Sequence, residues 1–280
     1  MAEKIVITTL VENSVSARGL LAEHGLCFHF QVGSRSLLFD TGQSDLLLQN
    51  AIRLRLSLAE TEAIVLSHGH NDHTGGITAI REVAPGARLF LHPAALAPKF
   101  AANPDGTGRF IGMHPRDVEA LCNAGGRVAQ TAKVTEIMEG VSVTGEIPRV
   151  NGFEDTGGRF FLDAACTEPD PLAEDQALFC DTADGLVVVL GCAHSGVVNT
   201  LDQILHLAAG RPIHTLLGGM HLMTASPERM EQTIAAFRRL KIQRLVPAHC
   251  TGLPAVAQLW AAFPDRCAQC SVSASFCFHR

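Results

Sequence analysis

The stretch IVLSHGHNDHTGG (64–76) packs His68, His70, Asp72 and His73 into six positions directly after an apolar run. Imidazole nitrogen and carboxylate oxygen are donors that zinc accepts readily, whereas magnesium and calcium want mostly oxygen. Alternate residues of an extended or loop segment point the same way, so His68 and His70 can share one ion. Asp72 and His73 lie one step further along a turn, within reach of a second ion beside it. Gly75–Gly76 then lets the chain turn sharply into a helix over 77–83. Two divalent ions held side by side lower the pKa of a bridging water towards 7 and clamp the attacking and departing oxygens. The pattern therefore predicts a metal site built for hydrolytic chemistry.

Such a site needs donors from other segments, and other strand-like runs end in them. LVVVLGCAHSG puts Cys192 and His194 just past an apolar run, HTLLGGMH supplies His221, and RLVPAHCTG supplies His249. SLLFDTG ends on Asp40. In α/β sheets the loops beyond strand C-termini are where ligand sites assemble. One polar donor at the end of each of five runs is hard to read as packing.

The elements that must position these residues alternate along the chain. Strand-like runs occur at 5–10, 26–32, 36–40, 63–67, 87–92, 140–147, 177–181, 186–191, 214–219 and 244–249. Helical periodicity occurs around 43–57, 74–83, 115–124, 197–209, 227–240 and 253–262. The helix at 227 is well announced, with Ser226 as N-cap, Pro227 at the first position and Glu228 complementing the dipole. Gly-bounded strands alternating with helices indicate an α/β layered fold. Without a repeat or a clear linker, 1–280 reads as one domain. Two segments, 97–114 and 150–175, are rich in Gly, Pro, Asn and Asp and read as lid or insertion loops. Their cations Lys99, Arg109 and Arg159 could meet a phosphate or carboxylate, and Phe100, Phe110 and Phe153 would suit a flat ring.

Composition narrows the function classes. Of 280 residues 47% are apolar and 18% charged, with a formal net charge of −6, which offers no basic footprint for nucleic acid or anionic membrane. The start, MAEKIVITTLVENS, lacks a signal-peptide h-region, and the apolar run LVVVL (186–190) is far too short to span a bilayer. A soluble, cytoplasmic protein is expected. Nine cysteines are scattered in mostly apolar contexts, as reduced thiols that pack as small hydrophobes. The single CxxC, Cys267–Cys270, reads as an idle pair, with a redox-sensitive or accessory zinc role as the alternative. The absence of tyrosine excludes schemes that need an active-site phenol.

The segments LVENSV, EHGLCFHF, LLFDTG, SHGHNDHTGG, VTGEIPR, GCAHSG, GGMHL and PAHCTG run from about residue 10 to 253. Together they resemble the metallo-β-lactamase superfamily, whose signature is H-x-H-x-D-H after a strand. Within it, the chain resembles the branch of metal-dependent hydrolases and dihydropterin–ribofuranosylaminobenzene-phosphate synthase-like proteins. The resemblance implies a four-layer αββα sandwich with a two-metal site at one edge of the paired sheets. It implies that His68, His70 and a later ligand hold one ion, and Asp72, His73 and His249 the other. Asp40 would fix a ligand imidazole by hydrogen bonding. Two divalent ions are implied, zinc first, with iron or manganese also fitting.

The chain departs from the commonest pattern of that superfamily, in which a PGHT-like turn supplies the third ligand and a TGD turn a bridging Asp. Here VTGEIPR offers Glu146, as metal ligand or substrate contact, and GCAHSG offers His194 or Cys192. The expected reaction is attack of a metal-activated hydroxide on a small ester, lactone or phosphoester. Asp72 would orient the hydroxide, and a protonated His221 would serve as acid for the leaving group. The branch implies a second reading, a transferase or condensing enzyme acting on a pterin and a ribofuranosylaminobenzene phosphate. A third is a catalytically silent metal-binding protein. The expected partner is a small molecule, phosphorylated or pterin-like, with neither nucleic acid nor membrane.

Overall fold

The computed structural model describes residues 3–280. The first half of the chain forms β1 (Lys4–Val11), β2 (Cys27–Val32), β3 (Arg35–Phe39), α1 (Leu46–Leu54) and β4 (Thr61–Val65). It continues through α2 (Asn71–Thr74), α3 (Ile77–Val83), β5 (Arg88–Leu91), β6 (Phe100–Ala102), β7 (Gly108–Phe110) and α4 (Pro115–Cys122). Short strands follow: β8 (Val128–Gln130), β9 (Thr135–Met138), β10 (Val141–Val143) and β11 (Phe160–Phe161). The second half forms β12 (Leu178–Thr182), β13 (Gly185–Leu190), α5 (Val197–Leu207), β14 (Ile213–Gly219) and α6 (Pro227–Arg239). It closes with β15 (Arg244–Ala248), α7 (Leu253–Ala262) and β16 (Ser275–His279).

One sheet has the order β16-β1-β2-β3-β4-β5-β8 and the other β15-β14-β13-β12-β10-β9. Their strands are apolar on both faces, and the pleat sends alternate residues to different cores. Leu37, Phe39, Val187 and Val189 enter the layer between the sheets, with Phe28, Phe30, Val65 and Leu217. Leu186, Val188 and Leu190 face the other way, against Val197, Leu201 and Ile204 of α5 and Phe237 of α6. Leu38 and Ile64 likewise meet Leu47 of α1 and Ile77 and Ile80 of α3. Each such side chain contributes about 1.5–3 kcal/mol on burial. Three cores separate four layers, helix, sheet, sheet and helix, which is the αββα sandwich. The cap on α6 forms as its sequence predicts, Arg229 N donating to Ser226 Oγ at 3.1 Å.

The two Gly- and Pro-rich segments are more ordered than their composition suggests. They pair with each other in a third sheet, β11-β6-β7, with Phe160 opposite Ala101 and Ala101 opposite Arg109. The sequence reading also passed over β16. Its alternation buries Phe276 and Phe278 and leaves Cys277 exposed, and it pairs antiparallel with β1. Of the CxxC pair, Cys270 is buried and Cys267 half-buried, and burial pushes their thiols up to about 12 and about 11. Among the described residues, no helix is long and apolar enough to cross a membrane.

Candidate metal centre

Five strand ends meet at one edge of the sandwich: β3 leads to Asp40, β4 to Ser67 and His68, β13 to Cys192, β14 to His221, and β15 to His249. Several of these residues leave the strand through the left-handed region that side chains disfavour. Asp40 has φ 61°, Ala193 54°, His221 46° and His249 49°. Such conformations cost about 1–3 kcal/mol each and persist where the surroundings over-determine them. Here they turn the polar side chains back over the edge.

The hydrogen-bond partners decide which nitrogen of each imidazole faces inward. Asp40 Oδ2 can only accept, so His73 Nδ1–H donates to it at 2.7 Å and His73 Nε2 points into the cluster. Ser67 Oγ donates to the same oxygen at 2.7 Å and therefore accepts from His68 Nδ1–H at 2.9 Å. His194 Nδ1–H donates to the Thr156 carbonyl at 2.8 Å. His249 Nδ1–H donates to Asn13 Oδ1 at 2.8 Å, an oxygen identified by the Gly25 N–H that also donates to it. Four rings are thus locked with their outer N–H bound and Nε2 directed inward, as metal-ligating histidines require.

What faces inward is a cluster of potential metal donors. His68 Nε2 stands 3.0 Å from His70 Nδ1, and His73 Nε2 stands 3.3 Å from His249 Nε2 and 3.2 Å from Cys192 Sγ. Asp72 Oδ2 lies 3.2 Å from His249 Nε2 and 3.8 Å from His73 Nε2. His194 Nε2 is buried without a partner among the described residues. Protons hold these contacts together in the metal-free protein; once they leave, the converging N, O and S donors fit a zinc-like ion. Two groups, His68–Cys192–His194 and His73–Cys192–His249, have donor atoms all within 4.8 Å of one another.

Burial sets the protonation states. It pushes His68, His194 and His249 below the usual imidazole value and takes His70 down to about 3. Burial, with Arg229 next in effect, takes His221 down to about 4. Burial thus disfavours a charge on His221 in the protein without metal. Burial also opposes a charge on His73, but Asp72 and Asp40 outweigh it and lift its pKa to about 9. The buried Asp72 is held well below the usual carboxylate range by His73, His24 and His249.

These shifts predict a stability maximum near pH 6.5 for the metal-free protein. Below that pH the unfolded chain holds protons that His70 and His221 refuse when folded, so stability rises from about pH 4 to 6.5. Above it the folded chain holds the proton on His73 that the unfolded chain releases, so stability falls towards pH 9. Denaturant midpoints measured in chelator across pH 4–9.5 check this. A flat alkaline limb would remove the charge from His73.

A cavity of about 350 Å³ opens over the cluster. His70, Asp72, His194, His221 and His249 line it, and His68 and His73 lie fully buried beneath. Gly157 and Phe160 from the 150–175 segment and Arg109 and Ile111 from the 97–114 segment form its walls. The fold leaves Glu146 out. Gly145, at φ 68° against the backbone of Lys133, turns it to the exposed surface. Lys99 is also misplaced by the sequence reading, being wholly buried between Asp170 and Glu174. Arg159 lies over Phe161 outside the cavity. The aromatic wall is Phe160, whereas Phe100 and Phe110 pack on each other and Phe153 on the outer core.

Several residues that matter here carried no assigned role in the sequence. Asn13 and Glu12 were visible only as part of LVENSV; Glu12 Oε1 accepts from His249 N at 2.8 Å. His24 Nε2 lies 3.2 Å from Asp72 Oδ2. Ser67 and the Thr156 carbonyl appear only through their imidazole partners. Gly157, at φ 79°, lies against His221 Nδ1, and a Cβ there would collide with that ring. Gly157→Ala is expected to cost about 1–2 kcal/mol from the backbone alone and to displace His221. Thermal denaturation with a crystal structure of the variant would check both.

Residues 22–136 match the family model described as the metallo-beta-lactamase superfamily. The chain is 30% identical over 277 residues to the 7,8-dihydropterin-6-methyl-4-(β-D-ribofuranosyl)-aminobenzene-5′-phosphate synthase of Methanocaldococcus jannaschii, covering 94% of this chain and 93% of that protein. The crystal structure of Tm1679, a metal-dependent hydrolase of the β-lactamase superfamily, superposes with a TM-score of 0.80 at 29% identity, covering 97% of this chain and 98% of that one. A diphosphatase of the PhnP family shares the fold, with a TM-score of 0.56 at 16% identity over 100% of this chain and 99% of that one. With a relative this similar along nearly its whole length, the chain belongs to the metallo-β-lactamase superfamily.

Proposed function

We propose that this protein is a metal-dependent hydrolase of a small ester, lactone or phosphoester. In this reading His68, His70 and His194 hold one divalent ion, and Asp72, His73 and His249 a second, zinc being the first expectation for both. The observation that carries it is the convergence of tautomer-locked imidazole nitrogens and the Asp72 carboxylate beneath an open cavity. Ions bound there would acidify a water molecule and polarise the electrophile beside it.

The chain's own residues complete the reaction. Asp72 stays ionised and reaches the cavity, so it orients the nucleophile. His24 Nδ1 faces Asn13 Nδ2 at 3.4 Å, which leaves its Nε2–H to donate to Asp72 and hold that carboxylate in place. His221 sits with Nδ1 against Gly157, so Nε2 is the atom offered to the substrate, as a neutral donor to the leaving group. Arg109 at the wall supplies positive charge for a phosphate or carboxylate.

A second reading is favoured by the relative named as a pterin-related synthase. On it, the Phe160 face would stack a flat ring, and the same metal cluster would activate a leaving group for condensation. A panel of phosphodiesters, phosphomonoesters, lactones and reduced pterins, offered to the metal-loaded protein, separates the two. Hydrolysis lost in Asp72→Asn supports the first reading. Pterin binding with bond formation and no hydrolysis supports the second. A full metal complement with neither overturns both in favour of a silent metal-binding protein.

A further inference from the structure

We infer that Cys192 is the ligand shared by the two ions, its thiolate bridging them; the inference rests on the two-metal reading above. Its sulfur belongs both to the group with His68 and His194 and to the group with His73 and His249. A third such group, His24–Asp72–His249, shares His249 with the second, but among the described residues Cys192 alone joins the His68 side to the His73 side. The sulfur stands 3.2 Å from His73 Nε2. A thiol buried merely as a small hydrophobe has carbon neighbours; this one faces inward-pointing imidazole nitrogens.

The position is also built. Cys192 follows β13 on Gly191 and precedes Ala193, whose φ of 54° turns the chain at the sheet edge. Gly219 of β14 packs directly alongside, where a Cβ would stand 3.4 Å from Cys192 Cα and collide with the Gly191 carbonyl. The nearby Cys250 thiol donates to the Cys192 carbonyl at 3.6 Å, so its hydrogen is already engaged by backbone. Charge balance points the same way. Beside neutral imidazoles, Asp72 alone would face two dications, and a thiolate adds the second negative charge. Loss of the Cys192 proton to solvent accompanies binding. A sulfur bridge favours zinc, iron or cobalt over harder ions such as manganese.

X-ray absorption on the full-length, zinc-loaded protein tests this directly. The expected result is a sulfur neighbour at about 2.3 Å, about one per zinc, because each ion sees the shared atom. Half that count would place sulfur on one ion only and overturn the bridge. Cobalt loading gives a second readout, a sulfur-to-cobalt charge-transfer band in the near ultraviolet. It should vanish in Cys192→Ser and persist in Cys250→Ser; the reverse outcome overturns the assignment. Two metals bound with no sulfur neighbour sink the bridge and leave the metal centre standing. No bound metal at all sinks the centre and the bridge with it. If Cys192→Ser fails to fold, the absorption measurement on the unmodified chain still decides.

Discussion

Lys99→Met is expected to destabilise the fold by about 3–5 kcal/mol, the usual cost of removing one partner from a buried ion pair. Lys99 is wholly buried, with Nζ 2.9 Å from Asp170 Oδ2 and 2.5 Å from Glu174 Oε1. Methionine keeps most of the stem's volume, so the loss isolates the charge. Burial already raises the pKa of Glu174 against the pull of Lys99, and without the ammonium both carboxylates stand uncompensated. The deficit should shrink in acid, where those carboxylates accept protons. The effect also reaches the metal loop. Lys99 O accepts from Ile111 N, and Ile111 O from Asn71 N at 2.7 Å, while Lys99 Cε would stand 2.7 Å from any Cβ at Gly69. Lys99 thus braces the turn that carries His68 and His70. Urea unfolding at pH 7 measures the cost through the midpoint at an unchanged m-value. A shift worth under about 1 kcal/mol would show that the trio is not the charged unit described.

Asp72→Asn is expected to lower kcat by about 10²-fold or more, the cost typical of misplacing the nucleophile. The amide is nearly isosteric, so the fold and the path into the cavity survive. Asparagine carries no charge to orient the nucleophile, and its NH2 would present a hydrogen where Asp72 Oδ2 now faces His249 Nε2 at 3.2 Å. The loss should fall on kcat more than on KM, because the substrate's remote groups still meet Arg109 and Phe160. Metal analysis alongside the kinetics separates two causes. A variant that retains both ions and loses turnover locates the defect in orienting the nucleophile. A variant within tenfold of the parent removes Asp72 from the chemistry. His68→Ala makes the contrast, since it should empty the deeper position and leave Asp72 untouched.

The sequence by itself determined what is local. His68, His70, Asp72 and His73 sit within six residues at one strand end, and their spacing alone prescribes a shared cluster. An α/β layering was legible too, from strands alternating with helices, while the αββα order was implied only by the motifs' resemblance to a family. Tertiary structure decided the rest. Glu146 and Cys192 were both candidate ligands on paper, yet the turn at Gly145 sends one outward, and the end of β13 brings the other within 3.2 Å of His73 Nε2. Lys99 read as a surface cation because a lone buried ammonium is prohibitive; its Asp170 partner is 71 positions away. The resemblance implied Asp40's hold on one imidazole, but the locking of the other three was hidden. Ser67, Asn13 and the Thr156 carbonyl are ordinary residues in the chain, and folding makes them hydrogen-bond acceptors at a defined nitrogen. Periodicity reveals which face of a segment is buried, but not which distant group closes on it.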